Sequence, residues 1–136
     1  MADIRRTIGS GAEWEPIVGY SRVVRIGPMV AVAGTTASVP GGGVIGEDDP
    51  AEQTREVIRR IEAALRAVGA ALTDVIRTRI FVTDISSWEQ VGRVHGEFFA
   101  AIRPVATMVQ VAALIEPRLL VEIEADAMVI DQPAVE

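Results

Sequence analysis

The stretch Leu119-Leu120-Val121-Glu122-Ile123-Glu124-Ala125-Asp126-Ala127-Met128-Val129 decides the fold class. Val121, Ile123, Ala125, Ala127 and Val129 point one way along it, and Glu122, Glu124, Asp126 and Met128 the other. That two-residue period marks a strand with one face on an apolar core and one on something polar. Residues 75–82 read alike: Ile76, Thr78, Ile80 and Val82 alternate with Arg77, Arg79 and Phe81. The two strands carry complementary charges on their polar faces. A regular, charged sheet face with apolar residues interspersed reads as an oligomer seam.

Helical spacing appears on either side of that second strand. Asp49 caps a first helix, Pro50 takes its first position, and Glu52 follows three residues past the cap. Val57, Ile58, Ile61, Leu65 and Val68 recur as one apolar stripe, and Gly69 ends it in a left-handed conformation. Residues 84–87 supply a turn and cap for a second helix. Its stripe runs Val91, Val94, His95, Phe98 and Ile102, and Pro104 stops it.

Shorter strands complete the chain at residues 4–8, 17–26, 29–33 and 107–114. Gly27-Pro28 and Glu116-Pro117-Arg118 read as turns, and Pro40-Gly41-Gly42-Gly43 as a flexible loop. The order is strands, helix, strand, helix, two strands. It predicts an α+β fold with two helices packed on one face of a mixed sheet, in a single domain over residues 1–136.

Composition excludes much chemistry. Apolar residues make up 49% of the chain, enough for one core with a surplus for contacts between copies. A net charge of -6 argues against a nucleic-acid surface, which needs a basic footprint. No apolar run approaches the roughly 18 residues of a membrane span, and the polar start Met1-Ala2-Asp3 lacks a signal peptide's apolar stretch. A cytoplasmic location is expected. With no Cys, thiolate nucleophiles and disulfides are out. All 13 basic residues are Arg, which removes Schiff-base lysines and a Walker-type phosphate loop. His95 is the one histidine, so no metal site built on several imidazoles fits in one chain.

The ordered set of motifs resembles the Rid (YjgF-type) reactive-intermediate deaminase family. The matching pieces are Gly19-Tyr20-Ser21 with Val23, Val24, Ile26 and Gly27; Val32-Ala33-Gly34; and Gln53-Thr54. Further along come Asp74-Val75-Ile76-Arg77-Thr78, Phe81-Val82-Thr83-Asp84, Phe98-Phe99 and Val121-Glu122-Ile123-Glu124-Ala125. The resemblance implies a chorismate-mutase-like fold and a homotrimer with small-molecule clefts between subunits. It also implies hydrolysis of reactive enamines and imines without a cofactor or metal. A non-catalytic trimer that binds a small metabolite and regulates a partner is the alternative. Ribonuclease activity, also associated with the family, fits an acidic chain poorly.

Carried over position by position, the resemblance implies Glu122 as the acid that positions the attacking water, with Tyr20 at its side. Gly34, Thr35, Gly92, Arg103, Ala106, Thr107 and Met108 fall where substrate-binding residues are expected. The family's carboxylate-gripping Arg, two residues after the proline, corresponds to Ala106 here. Its cysteine corresponds to Met108, the helix Asn to Gly92 and a strand Ser to Ala33. Arg22, two residues from Tyr20 along an expected strand, is a candidate replacement cation. Arg103 is the competing donor. Each has a plainer reading: Arg22 paired with a carboxylate, Arg103 as a helix-end cation, His95 as a core or interface residue, Glu122 and Glu124 in ion pairs with Arg77 and Arg79. Trp14 and Trp88 read as packing residues beneath loops or at the cleft mouth.

Overall fold

The computed structural model describes residues 4–130; the reading of Met1-Ala2-Asp3 lies outside them. Six strands form one sheet: β1 (Arg5–Ile8), β2 (Val23–Ile26), β3 (Met29–Thr35), β4 (Val75–Val82), β5 (Val105–Gln110) and β6 (Val121–Met128). Their spatial order is β1-β2-β3-β6-β4-β5. Every neighbouring pair is antiparallel except β4 and β5, which run parallel. A parallel pair needs a crossover of a dozen or so residues, and α2 (Trp88–Phe99) supplies it. With α1 (Pro50–Ala67), α2 covers one face of the sheet, the α+β arrangement expected.

The core lies between the helices and that face. Val30, Val32, Ile80, Val82, Val121, Ile123, Ala125 and Ala127 meet Val57, Ile58, Ile61 and Leu65 of α1 and Val91 and Phe99 of α2. The second helix buries Phe99 more deeply than Phe98, which packs at the core's edge. Asp49 caps α1 by accepting the Glu52 N–H at 3.1 Å. Gly69 (φ 78°) closes the other end, with Ala70 N–H on the Leu65 carbonyl at 2.9 Å. Among the described residues no helix is long and apolar enough to cross a membrane.

Four expectations are corrected. The strand expected from residue 17 begins only at Val23, because Glu15–Gly19 forms a single π-type turn closed by Tyr20 N–H on the Glu15 carbonyl at 3.0 Å. Ser10 holds the buried Glu15 side chain, its hydroxyl donating at 2.7 Å. Those bonds keep the Glu15 carboxyl below its usual range. Ile76 faces outward at 48% exposure, since β4 carries an extra residue between Val75 and Arg77. The Pro40–Gly43 segment is an ordered turn, with Val39 N–H on the Gly43 carbonyl at 3.0 Å. Trp14 and Trp88 stand in solvent at 57% and 58% exposure.

Candidate functional site

The expected site residues fall into two groups on opposite faces of the sheet. The first gathers on the open face, where β3 passes β6. Their register jumps from Val32↔Ala125 to Thr35↔Ile123, so three steps along β3 match two along β6. That bulge bends β3 and brings Gly34 against Glu122: a Cβ at Gly34 would collide with the Glu122 carboxylate. The carboxylate can lie there because position 34 has no side chain.

Arg22 closes the group. It lies in a bend just before β2, tied by its N–H to the Ile8 carbonyl (2.8 Å) and by its carbonyl to the Ala33 N–H (3.0 Å). Its Nη1 donates to the Gly34 carbonyl at 2.8 Å and to Thr35 Oγ1 at 3.0 Å. Thr35 is buried, and its hydroxyl donates to the Ala33 carbonyl at 2.8 Å. Within the chain, Thr35 therefore braces Arg22. Tyr20, 38% exposed, follows the left-handed Gly19 (φ 89°) and precedes Arg22 by two residues.

Burial raises the proton affinity of Glu122; the Arg22 charge opposes that, and Glu124 adds to it. Neither Arg77 nor Arg79 pairs with Glu122. In register, Glu122 lies beside Phe81, whereas Arg79 lies beside Glu124 and Arg77 beside Asp126. Arg79 Nη1 stands 3.2 Å from both Glu124 and Asp126. This separates Glu122, half-buried and with no ion-pair partner among the described residues, from the paired acids farther along the strand.

The second group surrounds an open cavity of about 380 Å³ between α2 and the start of β5, lined by Gly92, His95, Gly96, Phe99, Arg103 and Ala106 among others. A Cβ on Gly92 or Gly96 would project into empty space, so the bare glycines leave the room. Strand alternation divides the 106–108 segment. Ala106 and Met108 are in register with Thr78 and Ile80 on the helix-covered face, while Thr107 lies with Arg79 on the open face. Met108 packs against the core, and Ala106 reaches the cavity. Gly92, Arg103 and Ala106 thus come together, apart from Arg22, Gly34 and Glu122.

His95 lies on α2 against β4. Its Nε2 sits 2.9 Å from Thr78 Oγ1, and its ring lies 4.6 Å from that of Phe99. Burial favours the neutral ring and lowers the pKa below 6.5. The unfolded chain then takes up a proton at higher pH than the folded chain, so stability falls as pH drops through the unfolded value. The thermal midpoint of the native chain should fall more between pH 7.5 and 5 than that of His95→Gln. Parallel curves would remove this role. Among the described residues no group of three or more His, Cys, Asp or Glu is placed to hold a metal ion.

Fold and site together define a small α+β protein whose candidate site residues are split between two faces of its sheet. The family model described as Endoribonuclease L-PSP matches residues 10–129. The chain belongs to that family, the YjgF/Rid proteins. An uncharacterized protein of Streptomyces coelicolor is 39% identical over 90% of each chain. Rv2704 of Mycobacterium tuberculosis, a YjgF/YER057c/UK114 family member of known structure, is 60% identical with a TM-score of 0.84, covering 93% of this chain and 100% of its own. Escherichia coli TdcF, solved with bound serine, is 28% identical with a TM-score of 0.74, covering 90% and 93%.

Proposed function

We propose that the chain works as a homotrimer in which the Tyr20, Arg22, Gly34 and Glu122 group of one copy closes over the α2–β5 cavity of the next. In the resulting clefts it hydrolyses reactive imines or enamines. The observation that carries this reading is the placement of the two groups on opposite faces, which leaves each incomplete without a second copy. The open face suits such contact: Ile76, Val105 and Val109 stand exposed beside the Arg77, Arg79, Glu124 and Asp126 charges. TdcF with its bound serine supports a small, amino-acid-like ligand.

In this reading Glu122 accepts a proton from water as the water oxygen bonds to the imine carbon. The C=N electron pair moves to nitrogen, which takes the proton from Glu122 to give the carbinolamine; transfer of the hydroxyl proton to that nitrogen as the C–N bond breaks then gives a carbonyl and releases ammonia. An acid with raised proton affinity suits this work near neutral pH. Tyr20 and Arg22 would orient the ligand, with Thr35 holding Arg22.

Ala106 presents no cation, so 2-iminopropionate should be turned over weakly. Ala106→Arg should raise its hydrolysis about ten- to a hundredfold, the scale of one charged hydrogen bond. Ammonia release from freshly generated 2-iminopropionate measures this. Wild-type turnover already equal to that of the Arg variant would defeat the assignment of position 106.

A further inference from the structure

The loop between β1 and β2 is packed inside out. Arg22 N–H closes it on the Ile8 carbonyl at 2.8 Å, so residues 9–21 make a long excursion whose ends touch. Loops of this kind are ordinarily packed by their own side chains and frequently carry function. Here one side chain in residues 4–22 is buried, and it is the carboxylate of Glu15. Trp14, Ile17 and Val18 stand exposed at 57%, 68% and 68%, so apolar packing within the chain does not hold the loop.

Glu15 is also the one charged side chain that is buried among the described residues. Burying a charge is costly unless hydrogen bonds satisfy it. Ser10, two residues past β1, provides them: its N–H donates to both carboxylate oxygens, at 3.1 and 3.0 Å, and its hydroxyl donates at 2.7 Å. The bare Gly9 makes the room, since a Cβ there would lie 2.7 Å from Glu15 Oε1. The main chain of Glu15 is tied as well. Its N–H meets the Ala12 carbonyl at 3.1 Å, and its carbonyl accepts the Tyr20 N–H at 3.0 Å. Among the described residues that is the one hydrogen bond Tyr20 makes.

We propose that Glu15 is a positioning residue, whose carboxylate, fastened to Ser10 at the end of β1, fixes the turn that holds Tyr20 for the cleft. The inference rests on the proposed function for Tyr20's part in orienting the ligand. No residue from 9 to 22 belongs to the core, so loosening the latch frees the loop without unfolding the sheet.

The test reads Tyr20 directly by nitrogen-15 relaxation of its amide and by its ring signals, which are unambiguous because the chain has one tyrosine. Glu15→Leu keeps the bulk of the side chain and loses its bonds to Ser10. Glu15→Gln keeps an oxygen for the Ser10 N–H and an amide for the Ser10 hydroxyl. The order parameter of the Tyr20 amide should fall from about 0.85 in the wild type to below about 0.6 in Glu15→Leu, and recover in Glu15→Gln. The kcat of imine hydrolysis should follow it, dropping about tenfold or more in Glu15→Leu. Ser10→Ala, which leaves the buried position untouched, should lower the order parameter by an intermediate amount. Leu and Gln chains that behave alike would overturn the inference, as would Tyr20 order unchanged in both Glu15→Leu and Ser10→Ala. Glu15-dependent order of Tyr20 without hydrolysis of any imine by the wild type sinks the hydrolase reading alone; hydrolysis with Glu15-independent order sinks this inference alone.

Discussion

Gly34→Ala should leave the chain folded and cost it about a hundredfold in cleft activity, the scale associated with displacing a reacting group by around an ångström. The new methyl would collide with the Glu122 carboxylate, not with backbone. A carboxylate is the mobile end of its side chain and can move aside, so the fold is spared. The water-positioning group of the proposed function is not. The displaced acid also leaves its dry seat, so its carboxyl should titrate closer to the ordinary 4.5. Carbon-13 NMR of the glutamate side chains, with the rate of imine hydrolysis and the thermal midpoint, reads all three effects. An unchanged rate with Glu122 titrating as before would refute the placement.

The largest effect on stability is expected at Gln53, a polar side chain with no exposed surface. Its Nε2 donates to the Gly46 carbonyl at 3.1 Å and to the Arg118 carbonyl at 2.9 Å. Its Oε1 accepts the Leu120 N–H at 2.8 Å. One amide thus ties the loop entering α1 to the segment entering β6, one residue before the strand that carries Glu122. Gln53→Leu keeps the approximate volume and strands two main-chain groups, the Arg118 carbonyl and the Leu120 N–H, while the Gly46 carbonyl keeps the Asp49 N–H at 2.9 Å. Each buried polar group left without a partner costs about 1–3 kcal/mol, so a total near 3 kcal/mol or more is expected. Denaturant unfolding at fixed protomer concentration measures it. A change within about 0.5 kcal/mol, the range of an ordinary surface substitution, would contradict the clamp.

The period of residues 119–129 made the last strand and its two faces legible, and the capping signals at Asp49 and Gly69 bracketed α1 correctly. These features are local: alternation and caps depend on neighbours a few residues away. What escaped depended on longer range. Ile17 and Val18 are β-branched and suggest a strand, yet Pro16, Gly19 and the Glu15–Ser10 tie fold them into a turn. The extra residue in β4 turned Ile76 outward, and only pairing with β6 reveals it.

The candidate site was legible as a set of residues and not as a geometry. Alternation alone separates Thr107 from Ala106 and Met108, a signal present in the sequence and overlooked. That Glu122 and Ala106 belong to opposite faces follows from strand order, which the sequence does not display. The bulge that seats Gly34 beneath Glu122 was invisible for the same reason.

The proposed cleft requires the two groups to meet between copies, and the mass of the chain in solution tests that most directly. Light scattering at micromolar concentration should give three times the 14.5 kDa of one chain. A mass of 14.5 kDa would contradict it, because Glu122 and the α2–β5 cavity would then remain on opposite sides of a single sheet.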